Sequence, residues 1–388
     1  MNSTPLYLDN AATSWPKPAP VRAAMLDYLD HIGANPGRSG HSLAIAAGRI
    51  VDSTRERIAT LFNAPDPLRV AFTANATEAL NLALRGWLRP GDHIITSSME
   101  HNAVMRPLRE LEKDGVELTV LPCNLDGTLD PELIEHAIRS NTTLIVLSHA
   151  SNVAGTLLPI AAAGQIARRH GLLLLVDSAS TAGAFSIDME TDGIDLLAFT
   201  GHKSLLGPTG TGGLVIGDRV DTARLLPLIR GGTGSRSDSE EQPDWLPDRY
   251  ESGTLNVMGL AGLNASLEWL LARGIASIRM HSVGITRQLI NGLQSIPGIT
   301  IQGTCDAERQ TGTVSFSIIG VSPSDAGLWL DEEFNIQSRI GLHCAPAAHR
   351  TLSTFPTGTI RFATGIFTCE ADVERALDAV RTIAGRCA

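Results

Sequence analysis

The sequence predicts an α/β fold: a large unit on an open, mainly parallel sheet, followed by a smaller α+β unit toward the carboxyl end. Three observations carry this. Between about residues 69 and 216 short apolar runs alternate with longer amphipathic segments, the rhythm of a sheet covered by helices on both faces. The runs are almost continuously apolar rather than alternating, as expected of strands buried on two sides. After a polar, glycine- and proline-bearing stretch at 231–248 the pattern changes to two long helices, short strands and a last helix.

Taken in order, residues 19–63 read as helical, with Val21, Met25 and Leu29, then Ile50, Ile58 and Leu61, recurring on one face. Strands are expected at Arg69–Thr73, His93–Thr96, Glu117–Leu121, Thr143–Leu147, Leu172–Val176, Leu196–Phe199 and Leu214–Ile216. Helical segments between them include Glu78–Trp87, Pro131–Arg139 and Ile160–His170. The stretch 231–248 lacks periodicity and reads as a surface loop near a site or a domain border. Beyond it come helices over Leu260–Leu271 and Ile275–Ile296, strands near Ile299–Ile301 and Thr313–Ile318, and a helix over Ala371–Ile383. No internal repeat is visible. The large unit is expected over 15–259, and the small one over 1–14 together with 260–388.

The 388 residues, 43% hydrophobic and 19% charged, exclude disordered and low-complexity classes. A formal charge of −10 argues against a nucleic-acid or membrane-surface binder, because there is no broad excess of cations to displace counterions. No apolar stretch is long enough to span a bilayer. MNSTPLYLDNAAT has no basic segment leading into an apolar one, and the five cysteines (123, 305, 344, 369 and 387) match neither a disulfide framework nor a metal knuckle. A cytoplasmic chain with reduced thiols and no metal is expected.

In open parallel sheets ligands sit in the loops at the carboxyl ends of the strands, and here those loops are chemically loaded. Lys203 lies in Thr200-Gly201-His202-Lys203, directly after an apolar strand and before a glycine-rich turn. An isolated lysine is usually a solvated charge, but one at a strand end between imidazole and glycines can form a Schiff base. The glycines lead into a strand, whereas phosphate-binding glycines open a helix, so a nucleotide site is not indicated. Asp177 ends the strand Leu172–Val176, 26 residues before Lys203. It suits either a turn cap or an acid that holds a pyridine nitrogen protonated. Thr73-Ala74-Asn75-Ala76-Thr77-Glu78 follows a strand and opens a helix, where free backbone N–H groups suit a phosphate. Thr77 equally suits a simple helix cap.

Leu8-Asp9-Asn10-Ala11-Ala12-Thr13, Thr77-Glu78, Glu100-His101, Ser151-Asn152, Asp177, Thr200-Gly201-His202-Lys203 and Arg249-Tyr250-Glu251-Ser252-Gly253-Thr254 stand in this order along the chain. In that order they resemble the class V aminotransferase-fold, pyridoxal-phosphate enzymes. Arg339-Ile340-Gly341-Leu342-His343-Cys344-Ala345-Pro346 resembles the short nucleophile loop of the group II cysteine desulfurases and selenocysteine lyases. The resemblance spans nearly the whole chain and implies the type I fold of pyridoxal-phosphate-dependent transferases.

It further implies that Lys203 holds the cofactor and shuttles protons, Asp177 pairs with the pyridinium nitrogen, and His101 stacks on the ring. Ala76, Thr77, Thr200 and His202 would hold the phosphate, with Thr254 reaching over from a second subunit of a homodimer. Asn152 and Ser180 would contact the cofactor, Asn152 alternatively the substrate. Arg361 would clamp the substrate carboxylate in the forked geometry of a guanidinium, with Arg339 and Asn10 also at the substrate end. An ordinary cysteine is a small buried hydrophobe; Cys344, in a glycine-bearing loop beside His343, is expected to be the nucleophile, its thiolate the reactive form. The other four cysteines match no motif position.

The implied activity converts L-cysteine, or L-selenocysteine, to L-alanine, leaving a persulfide on Cys344 for an acceptor protein. Three departures bear on rate and preference rather than on cofactor use: Ser180 where many relatives have Gln, Ile340 in place of Ser or Thr, and Leu255 in place of Pro. The alternatives are a selenocysteine lyase, a carbon–sulfur β-lyase that would not require Cys344, and a sulfur-relay partner without turnover. The intact set Lys203, Asp177, His101, Arg361 and Cys344 argues against the last.

Overall fold

The computed structural model describes residues 5–37, 40–235 and 238–386. The chain opens with β1 (Leu6–Tyr7), α1 (Ala19–Asp27) and α2 (Ser42–Phe62). The expected continuous helix over 19–63 is therefore two. A π-turn at Tyr28–Ile32 closes α1 on Gly33, which has φ +52°, a left-handed conformation that ends a helix at little cost to glycine. Then follow β2 (Val70–Thr73), α3 (Ala76–Trp87), β3 (His93–Ser97), α4 (Asn102–Lys113), β4 (Glu117–Leu121) and α5 (Glu132–His136). β5 (Thr142–Ser148), α6 (Ile160–Arg169), β6 (Leu173–Asp177), β7 (Leu196–Thr200) and β8 (Gly212–Ile216) complete the large sheet.

That sheet runs β2-β8-β7-β6-β5-β3-β4. From β7 to β4 every pairing is parallel; β8 alone is reversed, antiparallel to both β7 and β2. Alternate side chains of one strand enter opposite cores, as the period of two requires. Ile95, Ile145, Leu147, Leu174, Val176 and Leu197 pack with α2 and α6 on one face. Ile94, Leu144, Val146, Leu173, Leu175 and Leu196 pack with α3 and α4 on the other. This double burial is why the strands read as unbroken apolar runs.

Beyond the loop at 231–248 come α7 (Val257–Arg273), α8 (Ile275–Gln294), β9 (Ile299–Gln302), β10 (Thr313–Ile318) and α9 (Pro323–Glu332). β11 (Ile336–Gln337), β12 (Arg339–Gly341), α10 (Pro346–Thr351), β13 (Thr359–Ala363) and α11 (Glu370–Ala384) close the chain. An antiparallel sheet β12-β13-β10-β9 is backed by α8 and α11 through a third core. β1 pairs in parallel with β11, so the amino-terminal strand belongs with this carboxyl-terminal layer. Residue 260, the expected start of the small unit, lies inside α7, and Leu260, Leu263, Leu267 and Leu270 pack in the same core as α2. Among the described residues no helix is long and apolar enough to cross a membrane.

Candidate active site

The carboxyl ends of the parallel strands open on one cavity of about 210 Å³, closed on the far side by β12, β13 and the loop after β12. Each strand delivers its residue at or beyond its last ladder position: His101 after β3, Asn152 after β5, Asp177 as the last residue of β6, and Thr200 to Lys203 from the end of β7 onward. Ala76 and Thr77 face the cavity from the first turn of α3. The cap of that helix is Asn75, not Thr77: Asn75 Oδ1 accepts from the Glu78 N–H at 3.0 Å. The first-turn N–H groups that Asn75 leaves open suit an anion.

Asp177 is buried. One carboxylate oxygen accepts from the Ala179 N–H at 2.9 Å, so it does cap its turn, while its side chain also faces the cavity. Burial raises its pKa, against the opposing pull of the Lys203 cation. Burial likewise lowers the Lys203 amine, with Arg361 and Arg339 adding to the effect and Asp177 opposing it. Lysine without its proton is a base and a nucleophile. His101 caps α4, its Nδ1 accepting from the Ala103 N–H at 3.0 Å, which places the proton of the neutral ring on Nε2. Burial, then the charges of Lys203, Arg106 and Arg361, push it down to about 4. His202 is held near 4 by burial, Lys203 and Lys17.

Cys344 is exposed and lines the cavity mouth. It and His343 have φ +57° and +47°, two successive left-handed residues that bear side chains. Such backbone is costly and is sustained only where surrounding contacts fix it. Here the Asn102 N–H, in the first turn of α4, donates to the Cys344 carbonyl at 2.9 Å, and Asn152 Nδ2 donates to the His343 carbonyl at 2.6 Å. The loop of Cys344 is thus pinned to the large sheet by Asn102, directly after the Glu100-His101 motif, and by Asn152 of the Ser151-Asn152 motif. Asn152, expected on a ligand, spends its amide on this loop and leaves only Oδ1 for the cavity.

Arg361 is 2% exposed, on β13. Nη1 donates to the Asn152 carbonyl at 2.9 Å and Nη2 to Asp9 Oδ1 at 2.8 Å, while Nε has no partner. Arg339, half exposed, approaches the other Asp9 oxygen at 3.8 Å. Asp9 therefore orients the pair, a role the sequence did not single out. Its neighbour Asn10 does not reach the cavity: its amide donates to the carbonyls of Ala363 at 3.0 Å and Tyr7 at 3.3 Å, and Oδ1 accepts from the Trp15 N–H. All its polar atoms are engaged within the chain, and it lines the smaller cavity that shares Lys203 and Ser180.

Thr254 is exposed and lies outside this cavity. Its segment is anchored three residues earlier by Glu251, which makes a buried ion pair with Arg55 and accepts from the Phe72 N–H at 2.6 Å. Ser180 lines the cavity and a smaller one behind it toward α7 and α8. Cys123 and Cys305 are partly buried, Cys369 caps α11, and Cys387 lies outside the described residues. Two further cavity residues were given no role in the sequence reading: His343, inside the loop motif of Cys344, and Ser148, at the end of β5.

Thr200 Oγ1, His202 Nδ1, Asn152 Oδ1, His343 Nδ1 and Arg361 Nε are buried without a partner in the chain, and all five residues line the cavity. Buried polar atoms are almost always satisfied, so this concentration marks a site built for a polar ligand. The aminotransferase class-V family model matches residues 6–376. A probable cysteine desulfurase of Methanothermobacter thermautotrophicus is 36% identical over 385 residues, 98% of this chain and 95% of that one. A cysteine desulfurase of Escherichia coli is 34% identical over 89% of this chain and 86% of its own. Among solved structures, the apo cysteine desulfurase of Thermococcus onnurineus superposes with a TM-score of 0.92 at 29% identity, covering 98% of this chain and 95% of that one. A cysteine desulfurase of Escherichia coli gives 0.87 at 30%, covering 99% and 96%. With the family pattern matched from the first strand to the last helix, and the cavity at the place where open parallel sheets bind ligands, the chain belongs to the aminotransferase class-V family.

Proposed function

We propose that the protein is a pyridoxal-phosphate-dependent cysteine desulfurase that converts L-cysteine to L-alanine and carries the released sulfur as a persulfide on Cys344. The observation that carries this reading is the exposed thiol of Cys344 on a pinned, left-handed loop over the cavity that also holds Lys203 and Asp177. A cofactor with a phosphate, an aromatic nitrogen and an aldehyde fits the residues present. The first turn of α3 with Thr200 and His202 suits the phosphate, buried Asp177 the ring nitrogen, His101 the ring face and Lys203 the aldehyde. When bound, that cofactor withdraws electrons from the substrate Cα and makes its proton acidic.

The chain's own groups supply the rest. Arg361, whose Nε lacks a partner, orients the substrate carboxylate, with Arg339 at the more exposed side. Lys203 Nζ, its pKa lowered by burial, takes the Cα proton and gives a proton back to Cα before alanine leaves. Cys344 Sγ, as thiolate, forms an S–S bond to the substrate sulfur while the C–S bond breaks; the electron pair stays on carbon, which gains a proton and becomes the methyl group of alanine. A thiol reductant or an acceptor protein then removes the outer sulfur. We place Thr254 at the cavity of a second copy of the chain in a homodimer, which accounts for its exposure here and predicts a dimer by sedimentation.

Product analysis with L-cysteine and a thiol reductant tests the reading. Alanine and sulfide in equal amounts are expected, with Cys344→Ser abolishing both. Pyruvate and ammonia with sulfide, unaffected by Cys344→Ser, would overturn it in favour of a β-lyase. The same assay with L-selenocysteine ranks the two substrates.

A further inference from the structure

The turn that carries Lys203 is held from the opposite end of the chain. The His202 carbonyl accepts from the Ser14 N–H at 3.0 Å, from Thr13 Oγ1 at 3.1 Å and from Lys17 Nζ at 2.8 Å. Ser14 Oγ takes a second hydrogen bond from Lys17 Nζ at 2.7 Å and gives its own proton to the Lys203 carbonyl at 2.8 Å. Lys17 is half-buried, and among the described residues it forms no ion pair. Burial lowers its amine to about 8. A cation withdrawn from water and given only one peptide carbonyl and one hydroxyl is unfavourable for stability by itself. A neutral side chain could fill the same space, so its presence calls for another account.

The same segment grips the opposite side of the cavity. Asp9 holds Arg361 at 2.8 Å, the Asn10 N–H and amide reach the Ala363 carbonyl next along β13, and the Trp15 N–H returns to Asn10 Oδ1 at 3.2 Å. One short stretch of chain therefore contacts both the turn of Lys203 and the strand of Arg361.

We propose that residues 9–17 form a strap that fixes Lys203 relative to Arg361, and that Lys17 is a positioning residue for proton transfer by Lys203. The kinetic part of this rests on the desulfurase reading; the structural part does not. Lys17 lies outside the cavity and meets its lining only at the His202 carbonyl, on the backbone side of the turn. Its loss should leave substrate binding intact and misplace the amine that moves the proton, a displacement to which such steps are steeply sensitive.

The test uses the cofactor-loaded enzyme, with kcat expressed per loaded site. Lys17→Met is expected to lower kcat about tenfold with KM unchanged within about twofold, and Lys17→Arg, which keeps a cationic donor, to recover most of the loss. Amide hydrogen exchange is the second readout. Exchange over 201–206 should accelerate in Lys17→Met, return toward wild type in Lys17→Arg, and leave α11 unchanged. An unaltered kcat in folded, loaded Lys17→Met, or a raised KM at constant kcat, would overturn the proposal. Should Lys17→Met not fold, Ser14→Ala cuts the relay to the Lys203 carbonyl; unchanged exchange and kcat in that variant also overturn it. If wild-type protein makes no alanine, the desulfurase reading fails, while the exchange comparison still decides the strap.

Discussion

Lys203 and Cys344 share a cavity but differ in what each can do alone. In the proposed reaction Lys203 exchanges the Cα proton of substrate bound to the cofactor, because burial favours its unprotonated amine; Cys344 acts later, on sulfur. In Cys344→Ser, Cα hydrogen–deuterium exchange of L-cysteine in heavy water, followed by NMR, should therefore persist although alanine is not formed. In Lys203→Ala both should vanish. Exchange lost in Cys344→Ser would mean that the thiol takes part in the first proton transfer. Arg361 heads the largest fully buried side chains, and its guanidinium bridges Asp9 and the Asn152 carbonyl. A lysine cannot span both partners and offer a fork to a carboxylate. Arg361→Lys should raise KM by about 10–100-fold and also lower the melting temperature, since it leaves Asp9 and a carbonyl under-bonded. A KM close to wild type would remove Arg361 from substrate binding.

The elements that the sequence made legible are those whose environment imposes a simple pattern. β6 is sandwiched between two cores, and its run of leucine and valine could be read directly, with Asp177 marking where burial gives way to chemistry. β13 escaped notice because Thr-Ile-Arg-Phe-Ala places a charge at a buried position; Asp9, brought from 352 residues away, and the Asn152 carbonyl make that burial tolerable. Adjacent residues in irregular chain were also hard to separate. Asn10 drew attention while Asp9 does the bracing, since nothing in such a segment states which side chain faces the cavity. The helical reading across 28–41 ran through the break because the apolar spacing continues on both sides of Gly33. At this scale the α3 end of the site depends on one glycine. A Cβ on Gly212 would lie 2.7 Å from Asn75 Cα and 2.8 Å from the Phe199 carbonyl oxygen, both backbone. Gly212→Ala should therefore displace the cap of α3, destabilise the fold by about 1–3 kcal/mol, and weaken the dissociation constant for pyridoxal phosphate. Unchanged affinity in a destabilised variant would separate the helix end from the phosphate.

Across the whole molecule, folding gathers several imidazoles into places where they resist protonation. Burial leads the causes for His101, His149, His202 and His349, each held near 4, and for His343, lower still. In the unfolded chain all five titrate near 6.5. Between those values the unfolded state binds the more protons, so their contribution is fully present above about 6.5 and is lost as pH falls toward 4. Buried and half-buried carboxyls act in the opposite sense. Glu100, raised to about 7 by burial, binds its proton more tightly in the fold, and its contribution is lost as pH rises through 7; Asp177, Asp192 and Asp195 are raised as well, from a lower starting value. Five imidazoles with depressed values outweigh Glu100 and the partial effects of the aspartates over the window from 6.5 down to 5. The melting temperature of the cofactor-loaded protein should therefore fall on acidification from pH 7 to 5, before most surface carboxylates protonate. His349 makes the clearest single test, being fully buried with Nδ1 on Thr354 Oγ1 at 2.7 Å. His349→Asn, which can keep that hydrogen bond without a titrating ring, should start from a lower melting temperature at pH 7 and show a shallower decline toward pH 5. A decline as steep as wild type in that variant would assign the acid sensitivity to the carboxyls instead.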